Sequence, residues 1–386
     1  MPKLTRLRTL LAKMQPTSGV DSVPTGAANA ILCRNLDVSP IEGGTVARDL
    51  IRGFFGNSEQ LTVAVFSKIT FEVELAGSGT AGTAPAYGPL LRACAFSETI
   101  LAAPVTGAAV AGSTTTTIVL AATASAVNDA YIGMPITIAS GLGSGQTRTV
   151  IDYIGSTRTA IVDSAWTITP DITSNYSITA NVTYGRVSAG FEMNTMYVNV
   201  DGILHPALDC RGNVMPSIAA DGIPVLRFEM TALYVAPTDT VTPTVVLSPW
   251  RQPLVVNQVN TPVARLHGQS VAFESLSLNV GNSVEFDSLP GSPEQTLITD
   301  SKPSGDIKFE VDNLSVKNYF TVVRNATLGS LVLEHGVTAG NKVRITLPSV
   351  QLSELKYGDR KGKMMYNANI TPLPIAGNDD IFICAF

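Results

Sequence analysis

The stretches "SKITFEVELAG" (Ser67–Gly77) and "SGDIKFEVDNLS" (Ser304–Ser315) share one signature, Phe-Glu-Val followed by an acid, at Phe71–Glu74 and Phe309–Asp312. Apolar and polar residues alternate through both. In the first, Ile69, Phe71, Val73 and Leu75 fall on one side and Lys68, Thr70, Glu72 and Glu74 on the other. In the second, Ile307, Phe309 and Val311 oppose Asp306, Lys308, Glu310 and Asp312. A period of two is the pattern of a half-buried β-strand, with one face in a core and one in water.

Outward from each acidic strand the elements recur in the same order: strand, long connection, acidic strand, short helix, hairpin, final strand. The helices are expected within "YGPLLRACAF", which starts near a proline, and "SVKNYFTVVRN". The hairpins are "TMYVNVDGILHPAL", with a tight Val-Asp-Gly turn, and "GSLVLEHGVTAGNKVRITLPSV". The closing strands are "PVLRFEMTALYVAPTD" and "GKMMYNANITPLPIAGND". Beyond the acidic strands residue identity is weak, so the duplication rests on element order.

Between Ala103 and Asn181 the composition shifts to Thr, Ala and Gly, with short β-like runs separated by turns, as expected of a small β-sandwich or barrel inserted into the first unit. The organisation expected is therefore a first unit over 1–102 and 182–240, an inserted β-rich surface domain over 103–181, a Pro-rich connector over 241–265, and a second unit over 266–386. The fold class is mainly β: two tandem sandwich or barrel units, each with a short flanking helix, plus the insert.

Composition narrows the function. The chain has 386 residues, enough for about two or three domains. Only 15% are charged and the net charge is −5, which leaves no basic footprint for wrapping nucleic acid. No eighteen-residue apolar run suggests a membrane helix. The N-terminal arm, 1–16, reads as a short amphipathic helix, with Leu4, Leu7, Leu10, Leu11 and Met14 at helical spacing among Lys3, Arg6, Arg8 and Lys13. It lacks the uninterrupted apolar core and cleavage site of a signal peptide. Cys33, Cys94, Cys210 and Cys384 are far apart, in keeping with reduced, buried thiols and with no zinc site.

Catalytic patterns are not evident. His205, His267 and His335 lie in no hydrolase or metalloprotease motif. "GLGSGQT" (Gly141–Thr147) lacks the lysine of a phosphate loop and reads as a turn. Glu72 and Glu74 lie about 7 Å apart on one strand face, a spacing shared by any strand and so no sign of a glycosidase pair. No enzymatic activity, cofactor or metal is expected.

Several stretches resemble the major tail tube proteins of long-tailed, siphovirus-type bacteriophages: "PTGAANAILCRNLDVSPIEGGTVARDLIRGFFGNSEQL", "FEVELAGSGTAGTAPAYGPLLRACAFSET", "DGIPVLRFEMTALYVAPTD", "LITDSKPSGDIKFEV" and the closing "TPLPIAGNDDIFICAF". The resemblance covers about Thr17–Thr99 and Thr183–Phe386, outside the insert. It implies a structural virion protein, assembled in the host cytoplasm. Six tube units would form a ring whose inner strands join into one large β-barrel, and rings would stack into a conduit. Implied partners are the chain itself, the tape measure protein in the lumen, terminator and baseplate hub proteins at the ends, and double-stranded DNA passing without sequence-specific binding. No membrane insertion is implied.

With two units per chain, three copies would complete a pseudo-hexameric ring. Four lumen strands per unit at ~4.7 Å spacing and ~40° tilt would give a backbone diameter of about 45–50 Å. Lys68, Thr70, Glu72, Glu74, Asp306, Lys308, Glu310 and Asp312 are the lumen-lining candidates; the alternative places these faces toward outer solvent. A mainly acidic lining would repel phosphates. Arg48, Asp49, Arg52 and Glu59, on the long loop Thr45–Gln60, are the ring-stacking candidates. The competing function is an adhesive tail fibre or spike that binds a host surface glycan.

Overall fold

A computed structural model describes residues 3–386. The chain opens with β1 (Arg8–Met14), β2 (Ala30–Ile31), β3 (Arg34–Ala47), β4 (Gln60–Glu74), α1 (Gly88–Arg92) and β5 (Phe96–Leu101). Seven short strands follow: β6 (Val105–Ala108), β7 (Val110–Thr114), β8 (Thr117–Val119), β9 (Pro135–Ser140), β10 (Thr147–Ile154), β11 (Thr159–Val162) and β12 (Asn175–Ile178). Next come β13 (Asn181–Arg186), β14 (Asn194–Val200), β15 (Ile203–Ala219), β16 (Val225–Tyr234) and β17 (Thr238–Asp239). After the Pro-rich stretch lie β18 (Val263–Leu266), β19 (Gln269–Ser270), β20 (Phe273–Asn279), β21 (Asn282–Asp287), β22 (Gln295–Ser301) and β23 (Ser304–Glu310). The chain closes with α2 (Tyr319–Arg324), β24 (Gly329–His335), β25 (Val343–Arg360), β26 (Lys363–Pro372) and β27 (Phe382–Ala385).

The protein is mainly β, and its strand pairs are antiparallel. One series of pairings runs β3–β4–β16–β15–β14–β1–β2. A second runs β20–β23–β26–β25–β24–β18–β19. The order is the same, and so is the register at its centre. Phe71 sits opposite Phe228 and Phe309 opposite Tyr366, with ring centroids 5.3 and 5.6 Å apart. Aromatic cross-strand pairs of this kind fix register, because a slip of one residue would turn the core face into water. The series join where Ser217–Ala219 of β15 pair with Ser275–Ser277 of β20. Neither series closes into a barrel; the sheet is open.

The alternation read at Phe71 and Phe309 sends Ile69, Phe71, Val73, Ile307 and Phe309 into one core with Leu90 and Leu91 of α1 and Tyr319 and Val322 of α2. The helices are short because each has only one apolar turn to bury; Pro89 starts α1, and the Asn318 side chain accepts the Thr321 N–H to cap α2.

Strands β6–β12 form a separate seven-stranded sheet, ordered β6–β12–β9–β10–β11–β8–β7. They enclose their own apolar cluster of Ile118, Ile136, Ile138, Tyr153, Trp166 and Tyr176. The chain enters from β5 and leaves into β13, which pair with each other, Leu101 facing Asn181. Arg265 of β18 bonds Asp163 at 2.8 Å, and buried Arg344 of β25 donates to Thr149 at 2.8 Å while paired with Glu334.

Several expectations change. The N-terminal segment is extended from Arg8, not helical: Leu10, Leu11 and Ala12 are buried in succession because β1 lies between β14 and β2, so pairing overrides a leucine spacing suited to a helix. Met1 and Pro2, the start of that expected arm, lie outside the described residues. β20 and β21 follow one another but do not pair; β21 pairs with β22 as a hairpin of its own. Asp312 lies past the end of β23. Among the described residues no helix is long and apolar enough to cross a membrane. The four cysteines are unpaired thiols, three buried and Cys33 half-buried.

His267, between β18 and β19, is buried, and desolvation with nearby Lys317 lowers its pKa to about 4. Unfolding returns it to about 6.5, so the unfolded state takes up the proton first and stability falls as pH drops. Burial shifts His335 in the same direction. Between about pH 7.5 and about pH 5, His267 alone is expected to cost about 2 kcal/mol. Urea unfolding at both pH values should show His267→Gln losing less stability than the parent by that amount.

Candidate functional site

Cross-strand partners share a face, so the pairings define what surrounds each polar residue of the acidic strands. On β4, Thr70 lies beside Asp37 and Glu229, and Glu72 beside Arg34 and Arg227. On β23, Asp306 lies beside Ser277 and Asn369, and Lys308 beside Ser275 and Asn367. One row crosses the join between the two series: Glu74, Val225, Ser217, Ser277, Asp306. The structure thus places Lys68, Thr70, Glu72, Glu74, Asp306, Lys308 and Glu310 along one continuous sheet, β3–β4–β16–β15–β20–β23–β26–β25. The core covers its other face. Asp312 is outside this register.

This face is less acidic than the strand sequences suggest. Arg34 donates to Glu72 at 2.9 Å, Arg227 to Glu229 at 2.8 Å, and Lys363 to Glu310 at 3.0 Å. Each cation comes from a neighbouring position in the sheet. The alternation of "VLRFEM" could have signalled Arg227, whereas Arg34 is recruited across a register shift between Arg34 and Asp37 that the sequence does not announce.

Both ends of this eight-strand run are open. Among the described residues β3 pairs on one side only, with β4. β25 pairs with β24 up to Val350, after which the side that β24 occupied has no strand; the other side holds β26 through Arg360. In β15 the corresponding side is taken by β14 and then by β20. Unpaired N–H and C=O groups on strands of this length are a template for another strand. Pro40 on β3 suits an edge position.

Beyond Gly43 the β3–β4 ribbon projects as an arm. Arg48 and Glu59 form an ion pair just past the last strand pair, where the ribbon gives way to its loop, and Asp49 and Arg52 lie exposed on that loop. Thus only two of the four stacking candidates pair. The arm also carries exposed Leu50, Ile51, Phe54 and Phe55; Ile51 and Phe55 are as open as in an extended peptide, at 104% and 106%. Soluble monomers rarely expose an apolar cluster of this kind.

Other features offer less convergent chemistry. A cleft of about 510 Å³ between the β15–β16 turn and β20 is lined by Val256, Val271 and Phe273, with the Arg360–Asp221 pair at its edge. Among the described residues no three His, Cys, Asp or Glu side chains converge as a metal site would require. Burial raises the Cys33 thiol to about 12, so it stays protonated near neutrality.

The two faces of β4 should respond differently to substitution. Phe71→Ala removes a side chain 1% exposed and is expected to cost about 3–5 kcal/mol. Glu72→Gln, one residue on, breaks a half-exposed ion pair and should cost no more than about 1 kcal/mol. Denaturant unfolding of the two variants checks the alternation. Compared with known proteins, the chain matches no family model and no curated sequence.

Proposed function

We propose that the chain is a structural subunit of a phage tail tube, with two tandem tube units and an inserted surface domain, and that three copies close a pseudo-hexameric ring. The observation that carries this reading is the repeated pairing order, each series contributing four strands to one open sheet whose two ends are free edges. β3 of one copy pairs with the distal half of β25 in the next. That contact copies the β15–β20 join already made within the chain. It is heterologous, so it yields a closed ring when the rotation per copy fits. Three eight-strand runs give 24 strands and a backbone diameter of ~45–50 Å, with a narrower bore inside the side chains.

The polar face lines the bore, except at its Thr231 end, where the 282–301 hairpin covers it. Its carboxylates are partly matched by arginine and lysine, so a passing duplex meets no cationic track on which to stall. The core, the helices and the seven-stranded insert lie outside it. The arm with Arg48, Asp49, Arg52 and Glu59 is a contact element between copies. Rings stack along the tube axis around the tape measure protein during assembly.

Native mass spectrometry and electron microscopy of the purified protein test this. The expected result is rings of three chains, or tubes built from them, with a central channel. Six chains per ring, or globular monomers at all concentrations, would overturn it.

A further inference from the structure

The β21–β22 hairpin and the β3–β4 arm occupy the same place in the two strand series. Their hinges match: Gly43 and Gly281 both have positive φ, and a Cβ at either would collide with the carbonyl of the strand opposite, at Ala64 or Lys302. Their first cross-strand pairs match as well, Gly44 with Val63 and Asn282 with Ser301. The arms 44–63 and 282–301 are of equal length. Their fates differ.

The second arm folds back onto the first series. Phe286 stacks on Phe66 of β4 at 5.4 Å, and Asn282 donates to the carbonyls of Cys94 and Gly212 at 2.9 and 3.0 Å. Arg186 donates to Asn282 at 2.9 Å. Thr231 of β16 and Ala95, the positive-φ residue just past α1, are buried there. In the second series the corresponding positions, Asn369 of β26 and Ala326 past α2, are exposed. One seat is filled; its counterpart is open, and the first arm, carrying Ile51, Phe54 and Phe55, is free to fill it.

We infer that the 44–63 arm of one copy seats on the second series of the neighbouring copy, over β23 and β26, in the manner of 282–301 on the first series. This rests on the self-association proposed above and adds its geometry. It makes the arm a lateral clasp between copies whose sheets join, in place of the ring-to-ring contact expected from the sequence. The match to the Phe66–Phe286 stack sets Arg48 of one copy against Ser304 of the next.

The test is a disulfide between Arg48→Cys and Ser304→Cys in full-length protein carrying Cys33→Ser, the remaining cysteines being buried. Mild oxidation of the double variant should shift most of the chain to covalent trimers on a non-reducing gel. Mixing the two single variants should give only heterolinked pairs, which shows that the bond is between copies. Rings that form without the link overturn the clasp and leave the tube reading standing. So does a ladder running beyond three chains, the signature of linked successive rings. Protein that stays monomeric by native mass spectrometry overturns both.

Discussion

The period of two in the acidic strands, locked by an aromatic pair across each, is the constraint from which the rest follows. Phe71 against Phe228 and Phe309 against Tyr366 set the register of β4 with β16 and of β23 with β26. With register fixed, every second residue is committed to the core and the remainder to one continuous polar face. Changing Phe71 or Phe309 alone would weaken packing. Slipping either strand by one residue would place Glu72 and Glu74, or Lys308 and Glu310, against the helices, where unpaired charge is far costlier than a lost methylene. The register therefore has no near competitor.

The strands of the acidic segments, both short helices, the Asp201-Gly202 turn and the run of short strands between Val105 and Ile178 were legible because each has a local cause: alternation, a proline or cap, a positive-φ pair, a change in composition. What sequence could not supply was pairing between distant segments. Leu4, Leu7, Leu10, Leu11 and Met14 fit a helix when read alone. Strand β1 forms because β14 and β2 offer hydrogen bonds on both sides. The "VAFESLSLNVGNSVEFDSLPG" stretch reads as strand, turn, strand and forms both strands, but Gly281 redirects the chain and each strand finds its partner elsewhere, which no local pattern specifies.

The same limit applies to charge. Along β4 the polar residues are mainly acidic, and an acidic wall is the natural extrapolation. A sheet face is set by neighbours in the perpendicular direction, and there Arg34, Arg227 and Lys363 intervene. At these half-exposed sites each pair adds little to stability. Its effect lies in the field: alternating charge within a few ångströms falls off faster with distance than a single-sign surface, and salt shortens its reach further. A polyanion near such a face feels neither strong capture nor strong repulsion. The strand composition alone pointed to repulsion, and the cross-strand geometry points to indifference.

The two strand series pair in the same order, so the chain presents two versions of each lateral contact surface, and covalent linkage can satisfy only one of each pair within the molecule. The β15–β20 join and the seated 282–301 arm are the satisfied members; the β3 and distal β25 edges and the projecting 44–63 arm are their unsatisfied counterparts. An isolated chain thus retains a free edge at each end of its sheet and exposed phenylalanines on one arm, features that soluble monomers generally suppress. Under the proposed self-association another copy covers them. If the next copy repeats the internal contact, each addition buries one edge pair and one arm and recreates both at the growing end, so association stops only when the last copy meets the first.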